Sequence, residues 1–467
     1  MHNAHSSSEQ VTLLRARKYP SGLFAIALMV ALAIIELVSA RPLRAQTSAR
    51  DSADLASLVA TAMEVNPRVT AARRRADAAG ARIAPAGARP DPMLMAGIQN
   101  FPIADPGFDD FMTMKMVGIG QTIPYPGKLS LRQRAARYEA AAANVMLESV
   151  RLDVEAEVEH AYYELAFLDR ALDIVDRNRA LLIDFMKVAE ARYAVGTAGQ
   201  QDVLRVHVEA ARLGEEAVVL IEQRRAVLAR LNALLDRATN TPVPDPSIPR
   251  RIARAAVADS ISAVRFVSPV LGARAAGSPL PAVEVLQLAV VRQNPELRAQ
   301  AAMIAAQAAR LELARKEHLP DFDVSLSYGQ RDGFSDMVSA VVAIPIPIQR
   351  RSKQDQLVAE ASAELAALES ERHAKANTLR AEVARLHANL ERDRAQLALY
   401  VRAIIPQGRA ALSSATGAYQ VGRADYLTLL DNQATLFNYE TSYYRVLTDF
   451  AKTLAELEQT VGQEVLP

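Results

Sequence analysis

Three groups of side chains in this sequence have types and spacings that could do chemistry or binding. Glu157 and His160 form a Glu-x-x-His, the motif with which helical bundles hold paired iron or manganese ions. Such a site needs the motif twice, and the chain has it once, so it reads as chance on a charged helix. Met112, Met114 and Met116 recur at every second position of "MTMKM", and a row of thioethers is a surface that Cu(I) or Ag(I) prefers. Thioethers also serve as apolar filler, and because Lys115 prefers water the Met face is expected to point outward. The third group is a short turn written twice, "YAVGTAGQQDVL" from Tyr193 and "YQVGRADYLTLL" from Tyr419, 226 positions apart. Its Gly allows the left-handed backbone that ends a helix and lets another backbone come close, but a plain helix stop leaves the shared Tyr and Val unexplained.

Little else points to catalysis. Seven His, no Cys, no Gly-x-Ser-x-Gly and no phosphate-cradling Gly-rich loop argue against an enzyme, and no catalytic residue, metal ligand or cofactor is assigned. Lys plus Arg (54) balances Asp plus Glu (53) with the signs interspersed, so no nucleic-acid partner is expected. Without Cys there is no disulfide framework and no thiol for lipid attachment, which leaves packing or assembly to supply stability.

The elements that must position these residues also come twice. "EVNPRVTAARRRADAAGARI" from Glu64 resembles "RQNPELRAQAAMIAAQAARL" from Arg292, "ARPDPMLMAGIQ" from Ala88 resembles "HLPDFDVSLSYG" from His318, and "QTIPYPGKLSLRQR" from Gln121 resembles "VAIPIPIQRRSKQD" from Val342. With the turns, four landmarks recur in order at offsets of 228, 230, 221 and 226, which is the signature of a tandem duplication. Before each turn a heptad pattern runs through Val154, Val158, Ala161, Leu165 and Leu168 in one copy, and through Leu379, Val383, Leu386, Leu390 and Leu397 with an interruption at Asp393 in the other. Helices with that repeat wind side by side, and at 1.5 Å per residue each reaches roughly 100 Å. Pro406 should kink the second of them.

Between the helices the period changes to two. Phe322, Val324, Leu326 and Tyr328 alternate with Asp323, Ser325 and Ser327, and Val338, Ala340, Val342 and Ile344 share one face of the next segment. Each copy offers two strands of membrane-spanning length joined by a loop, at 100–111 and 330–335. Open edges do not survive in lipid and four strands are too few for a barrel, so the barrel must be shared between copies of the chain. Arg15, Arg17 and Lys18 precede the apolar run "GLFAIALMVALAII" from Gly22, and cleavage is expected after Ala40 or Ala45, as in an export signal.

Together the export signal, the two copies of strand pair plus long hairpin, the "IPYPGKLSLR" and "IPIPIQRRSK" junctions and the repeated Tyr-x-Val-Gly resemble the TolC family of outer-membrane efflux proteins over about Asp51 to Gln463. The resemblance implies an α+β membrane protein: a long α-helical barrel of coiled-coil hairpins, plus four strands from each of three protomers in one shared 12-stranded β-barrel. It implies an outer-membrane exit duct reaching into the periplasm, serving a tripartite efflux or type I secretion system. Its partners would be outer-membrane lipid, a periplasmic adaptor and an inner-membrane transporter of the resistance-nodulation-division type. Val195, Gly196 and Thr197, with Val421, Gly422 and Arg423, correspond to the tips that receive the adaptor. Tyr193, Asp202, Tyr419 and Asp431 correspond to the periplasmic gate. Thr428 stands where an acidic residue is common and Ala424 where an Arg partner can sit, so one acidic ring and one latch are expected to be absent. "PYPGK" at 124–128 resembles the heavy-metal efflux branch.

The expected organisation is a signal peptide with N-terminal extension over 1–45, then a first repeat over 46–237 with strands about 93–123 and a helical hairpin over 128–237. An equatorial connector over 238–281 follows, then a second repeat over 282–467 with strands about 321–347, a hairpin over 352–461 and a short tail. The alternative is a periplasmic coiled-coil adaptor or scaffold without a membrane barrel. Adaptors have one hairpin flanked by β-rich halves, whereas this chain has two hairpins and no such halves.

Overall fold

The computed structural model describes residues 50–466 apart from 105, 198, 244 and 258–279. The export signal expected over 1–45 and the middle of the connector expected over 238–281 lie outside the described residues.

The first copy runs through α1 (Arg50–Val65), α2 (Pro67–Ala81), a short α3 (Ile83–Gly87), β1 (Met93–Gln99), β2 (Met114–Ile123), α4 (Lys128–Ala194) and α5 (Gln200–Leu234), with α6 (Arg250–Val257) beyond it. The second runs through α7 (Val283–Gln293), α8 (Pro295–Lys316), β3 (Phe322–Gln330), β4 (Met337–Ala343), α9 (Gln354–Leu399), a π-helical turn (Tyr400–Ile404), α10 (Ile405–Gln420) and α11 (Tyr426–Val461). The hairpins match in length: 67 and 35 residues in the first copy, and in the second consecutive pieces of 46, 5 and 16 residues followed by 36.

Each Asn-Pro closes its own copy by the same contacts. Pro67 and Pro295 open α2 and α8, where the missing N–H had no partner to lose. The buried Asn66 and Asn294 cap those helices by accepting from Arg68 N at 2.8 Å and Leu297 N at 3.1 Å. Their amides then donate to Leu234 O at 2.9 Å and Thr460 O at 2.8 Å, at the far ends of α5 and α11. One side chain thus ties the start of a copy to its finish.

The long helices pack around two apolar cores. One gathers Val154, Val158, Leu165, Leu231, Leu386, Leu390 and Leu454 with α1, α6 and α7. The other, nearer the turns, gathers Leu168, Val175, Leu182, Ala189, Leu213, Tyr419 and Phe437. The interruption at Asp393 is a buried polar seam: its Oδ1 accepts from Arg392 at 2.7 and 2.9 Å, while the buried Arg394 donates to Ala255 O of α6 at 3.2 Å. Pro406 does not end its helix. Its ring would meet the carbonyl four residues back, and the wide π turn over Tyr400–Ile404 precedes it before α10 resumes at Ile405.

The strands form one antiparallel sheet in the order β1-β2-β3-β4, with the two copies joined at the β2–β3 pair. β4 ends at Ala343, short of the expected 347, because Pro345 and Pro347 cannot donate to a ladder. Sheet and helices meet at the "PYPGK" junction. Gly127 turns with φ 95°, which places Lys128 inside the protein with its Nζ 3.0 Å from Glu317 Oε2 and 2.9 Å from Asp321 Oδ1. Since Tyr125 N also donates to Asp321 at 2.8 Å, the start of α4 in one copy is locked to the α8–β3 junction of the other.

Removing both carboxylates, by Glu317→Gln with Asp321→Asn, strands the buried ammonium and is expected to cost about 3 kcal/mol or more in thermal unfolding. Lys128→Met is expected to cost less, because the two carboxylates are partly exposed and regain water. Near α6, burial lifts the Glu159 carboxyl from 4.5 to about 8, helped by Glu155 and Glu458 and opposed by Arg251. The folded chain keeps a proton there that the unfolded chain releases, so this contribution is full below pH 4.5 and is lost as pH rises towards 8. Glu159→Gln should therefore stabilise the protein by about 4 kcal/mol at pH 8 and by less than about 1 kcal/mol at pH 5, read as a pH series of melting temperatures.

Candidate functional site

The repeated turns share one backbone geometry. Val195 and Val421 end α4 and α10, and Gly196 and Gly422 follow at φ 74° and 75°. Gly196 N donates to Tyr193 O and Gly422 N to Tyr419 O, each at 3.0 Å. Thr197 N donates to Arg192 O at 2.9 Å and Arg423 N to Ala418 O at 2.8 Å, which completes a Schellman cap in each copy. A Cβ at Gly196 would meet nothing within 4 Å, and one at Gly422 only Arg192 Nη2 at 3.7 Å. Glycine is therefore required here by its backbone angle and not by lack of room. Val195 and Val421 are 73 % and 69 % exposed, two aliphatic side chains held out by rigid caps.

Around this common frame the copies differ. Tyr193 is exposed, whereas Tyr419 is buried with its ring 5.2 Å from that of Tyr426. The copies differ at Tyr426, for which the first has Gln200, and at Arg192, for which the second has Ala418. The Arg192 guanidinium lies 4.6 Å over the Tyr419 ring, donates to Tyr419 O at 2.7 Å and to Thr197 O at 3.3 Å. One arginine of the first turn thereby fastens the second turn, through a charge-assisted hydrogen bond and a cation–π contact. Burial pushes the Tyr419 hydroxyl up, and nearby Asp202 adds to the shift against the pull of Arg192. Tyr426 moves the same way, by burial first and then by Tyr419 and Asp202.

Of the side chains singled out for a gate, the structure brings together Tyr419, Asp202 and the unforeseen Arg192 and Tyr426. Tyr193 and Asp431 are exposed on this chain. The departures at 424 and 428 also have local consequences. Thr428 takes part in the cap of α11, where Asp425 Oδ1 accepts from Thr428 N at 2.9 Å. Arg192 was legible only as a difference between the copies, as a basic residue in the last turn of α4.

The Glu-x-x-His is divided between two unrelated contacts. Glu157 pairs with Arg68 at 2.6 Å, and His160 Nε2 lies 2.9 Å from Lys452 O. Burial lowers the His160 pKa. Among the described residues no three His, Cys, Asp or Glu side chains are placed to hold a metal ion.

The sheet separates the Met face, expected to point outward, from the apolar one. The register places Lys115, Val117, Ile119 and Ile123 of β2 with Leu94 and Ile98 of β1, Phe322, Val324, Leu326 and Tyr328 of β3, and Val338 and Val342 of β4. Met114 and Met116 fall on the opposite face, at the Gly329 end of the row that continues through Ser327 and Ser325 to Asp323. Lys115 does sit on the apolar face. It stands at the loop end of the sheet, where its Nζ lies 3.4 Å from Asp332 and 4.6 Å from the Phe108 ring centroid, so the charge leaves the apolar surface. Met112 precedes β2 and lies in the loop. No helix among the described residues is long and apolar enough to cross a membrane.

A family model described as "Outer membrane efflux protein" matches residues 58–237 and 286–463, one segment on each copy. The cobalt-zinc-cadmium resistance protein CzcC of Cupriavidus metallidurans is 24 % identical over 343 residues, covering 72 % of this chain and 74 % of that protein. Among solved structures, the outer membrane protein VceC of Vibrio cholerae superposes with a TM-score of 0.71 at 19 % identity, over 90 % of this chain and 98 % of that one. The outer-membrane channel OprN gives 0.71 at 18 % identity, over 89 % and 91 %. At these identities the likeness is one of fold.

Arg192→Ala should loosen the second cap more than the first. Loss of a charged hydrogen bond and a stacked cation amounts to about 2 kcal/mol, so hydrogen exchange at the amides of Gly422 and Arg423 should quicken roughly 30-fold. Arg192→Lys should restore only part of the protection, because an ammonium lacks the planar stack.

Proposed function

We propose a function on one premise, that this chain belongs to the outer membrane efflux protein family. It is an efflux duct of the outer membrane that extends into the periplasm, a transport conduit and not an enzyme. The finer reading is ours. Three copies pair β4 of one chain with β1 of the next to close a twelve-stranded barrel, since those two strands are the open edges of the sheet. The apolar face then meets lipid and the face with Asp323, Ser325 and Ser327 lines the lumen. This face also favours a duct over an adaptor or scaffold without a barrel.

The observation that carries the gating and docking reading is the pair of capped turns fastened by Arg192. Val195, Gly196 and Thr197 with Val421, Gly422 and Arg423 offer exposed aliphatic side chains on rigid backbone, suited to receive the helical hairpin of a periplasmic adaptor. The adaptor would connect the duct to an inner-membrane transporter of the resistance-nodulation-division type or to a type I secretion system. Opening requires the second turn to leave the first. Arg192 and the buried Tyr419, with Asp202 beside them, form the closure within a protomer, while Tyr193 and Asp431 are left exposed to act between protomers. Arg192 supplies the basic partner that Ala424 does not.

Val195→Asp and Val421→Asp change what the tips present without touching the strained glycines. Each should lower efflux and crosslinking to the adaptor of the same pump by about tenfold, with normal amounts of trimer in the outer membrane. Wild-type efflux and crosslinking in both variants would show that the tips do not dock the adaptor.

A further inference from the structure

Every methionine within the strands lies on one face of the sheet: Met93 and Met95 of β1, Met114 and Met116 of β2, and Met337 of β4. All four strand glycines lie there too, each opposite a methionine on a neighbouring strand. Met93 pairs with Gly120, Met95 with Gly118, Met116 with Gly97 on one side and Gly329 on the other, and Gly329 again with Met337. Had the thioethers been filler against lipid they would stand among Leu94, Val117, Ile119 and Leu326, and that face has none. The glycines leave gaps along the wall that the methionines occupy. Met114 Sδ lies 2.7 Å from where a Gly329 Cβ would be, and Met95 Cε lies 3.3 Å from the corresponding point at Gly120. Gly329 is thus covered by the Met114 sulfur and faced by Met116 and Met337 from the strands on its two sides. Opposite and diagonal positions on neighbouring strands are about 5–8 Å apart, and unbranched Met side chains have the freedom to converge over that distance.

We infer that this face, read as lumenal on the duct assignment above, is a thioether-lined relay for a soft monovalent metal cation, Cu(I) or Ag(I), passing through the barrel as cargo. The chemistry selects for softness: neutral thioethers take Cu(I) and Ag(I) and offer little to Zn(II) or Co(II), which prefer imidazole, carboxylate or thiolate. A conduit also needs sites that hold cargo weakly and repeat, so that it enters and leaves. Pairs and triples of thioethers with no anionic ligand among them fit that need. Met93 and Met337 stand on the two edge strands, so pairing β4 with β1 of the next copy would bring the methionine rows of neighbouring copies side by side.

The test uses the full-length protein in detergent, with methionine methyl groups carbon-13 labelled and silver nitrate as a redox-inert probe in chloride-free buffer. The Met114, Met116 and Met337 methyl signals should shift on Ag(I) addition, while Met303 of α8 and Met186 of α4 stay in place. Combined substitution M114L/M116L/M337L preserves side-chain volume and should weaken Ag(I) binding at least tenfold, with trimer yield and single-channel potassium conductance unchanged. Strand methyl signals unmoved by millimolar Ag(I), undiminished binding in the triple variant, or equal shifts with Zn(II) would each overturn the relay. Loss of conductance in the wild type would instead overturn the duct reading, which keeps the two failures distinct.

Discussion

A backbone N–H or C=O without a partner costs several kcal/mol in hydrocarbon, and the architecture is organised by that constraint. The chain meets it in two ways. Its helices satisfy their own backbone and carry the interspersed charges that keep them in water. Its four short strands satisfy one another as far as β1 and β4, where the ladder stops at two open edges. The ion triad of Lys128, Glu317 and Asp321 ties the sheet to the helices. A buried ammonium at that junction costs desolvation, which two carboxylates from the opposite copy offset.

Duplication supplies the symmetry and its breaking supplies the function. Asn66 and Asn294 do the same work, because every copy must tie its first helix to its last. The turns keep the same caps down to angles of 74° and 75°, yet Arg192 faces Ala418 across the repeat. Arg192 covers Tyr419, which also packs on Tyr426, while Tyr193 stays in solvent. The Arg192 contact bridges unlike copies, whereas the hydrogen bonds of each cap lie within its own copy. The sheet shows the same division, with aliphatic and aromatic side chains prevailing on one face and methionine, glycine, serine and aspartate, with Val341 among them, on the other.

Much of this was legible in the sequence because it follows from period. Alternation by two marked β1 to β4, and heptads marked α4 and α9. The repeated Asn-Pro and Tyr-x-Val-Gly marked where helices start and stop, since Pro and Gly act through their own backbone angles. Pro406 called for a kink, and a π turn over Tyr400–Ile404 directly precedes it. Local rules said less where a distant partner decided. Asp393 read as an interruption and lies in a buried polar seam, where it accepts from Arg392 while its other neighbour, Arg394, reaches Ala255 O of α6.

The Met face shows where the boundary falls. The sequence by itself determined that Met112, Met114 and Met116 alternate with Thr113 and Lys115, because a strand's pleat sends successive side chains to opposite sides. It could not determine which side is which, since Lys115 argued one way and its neighbours the other. Only the tertiary structure decided, by pairing β2 with β3 of the other copy, so that Val117 stands against Tyr328 and Met116 against Gly329. The physical reason is that a face belongs to a sheet and not to a strand. The same holds at the turns, where the sequence determines each cap and only packing across the duplication makes Arg192 the residue that joins them.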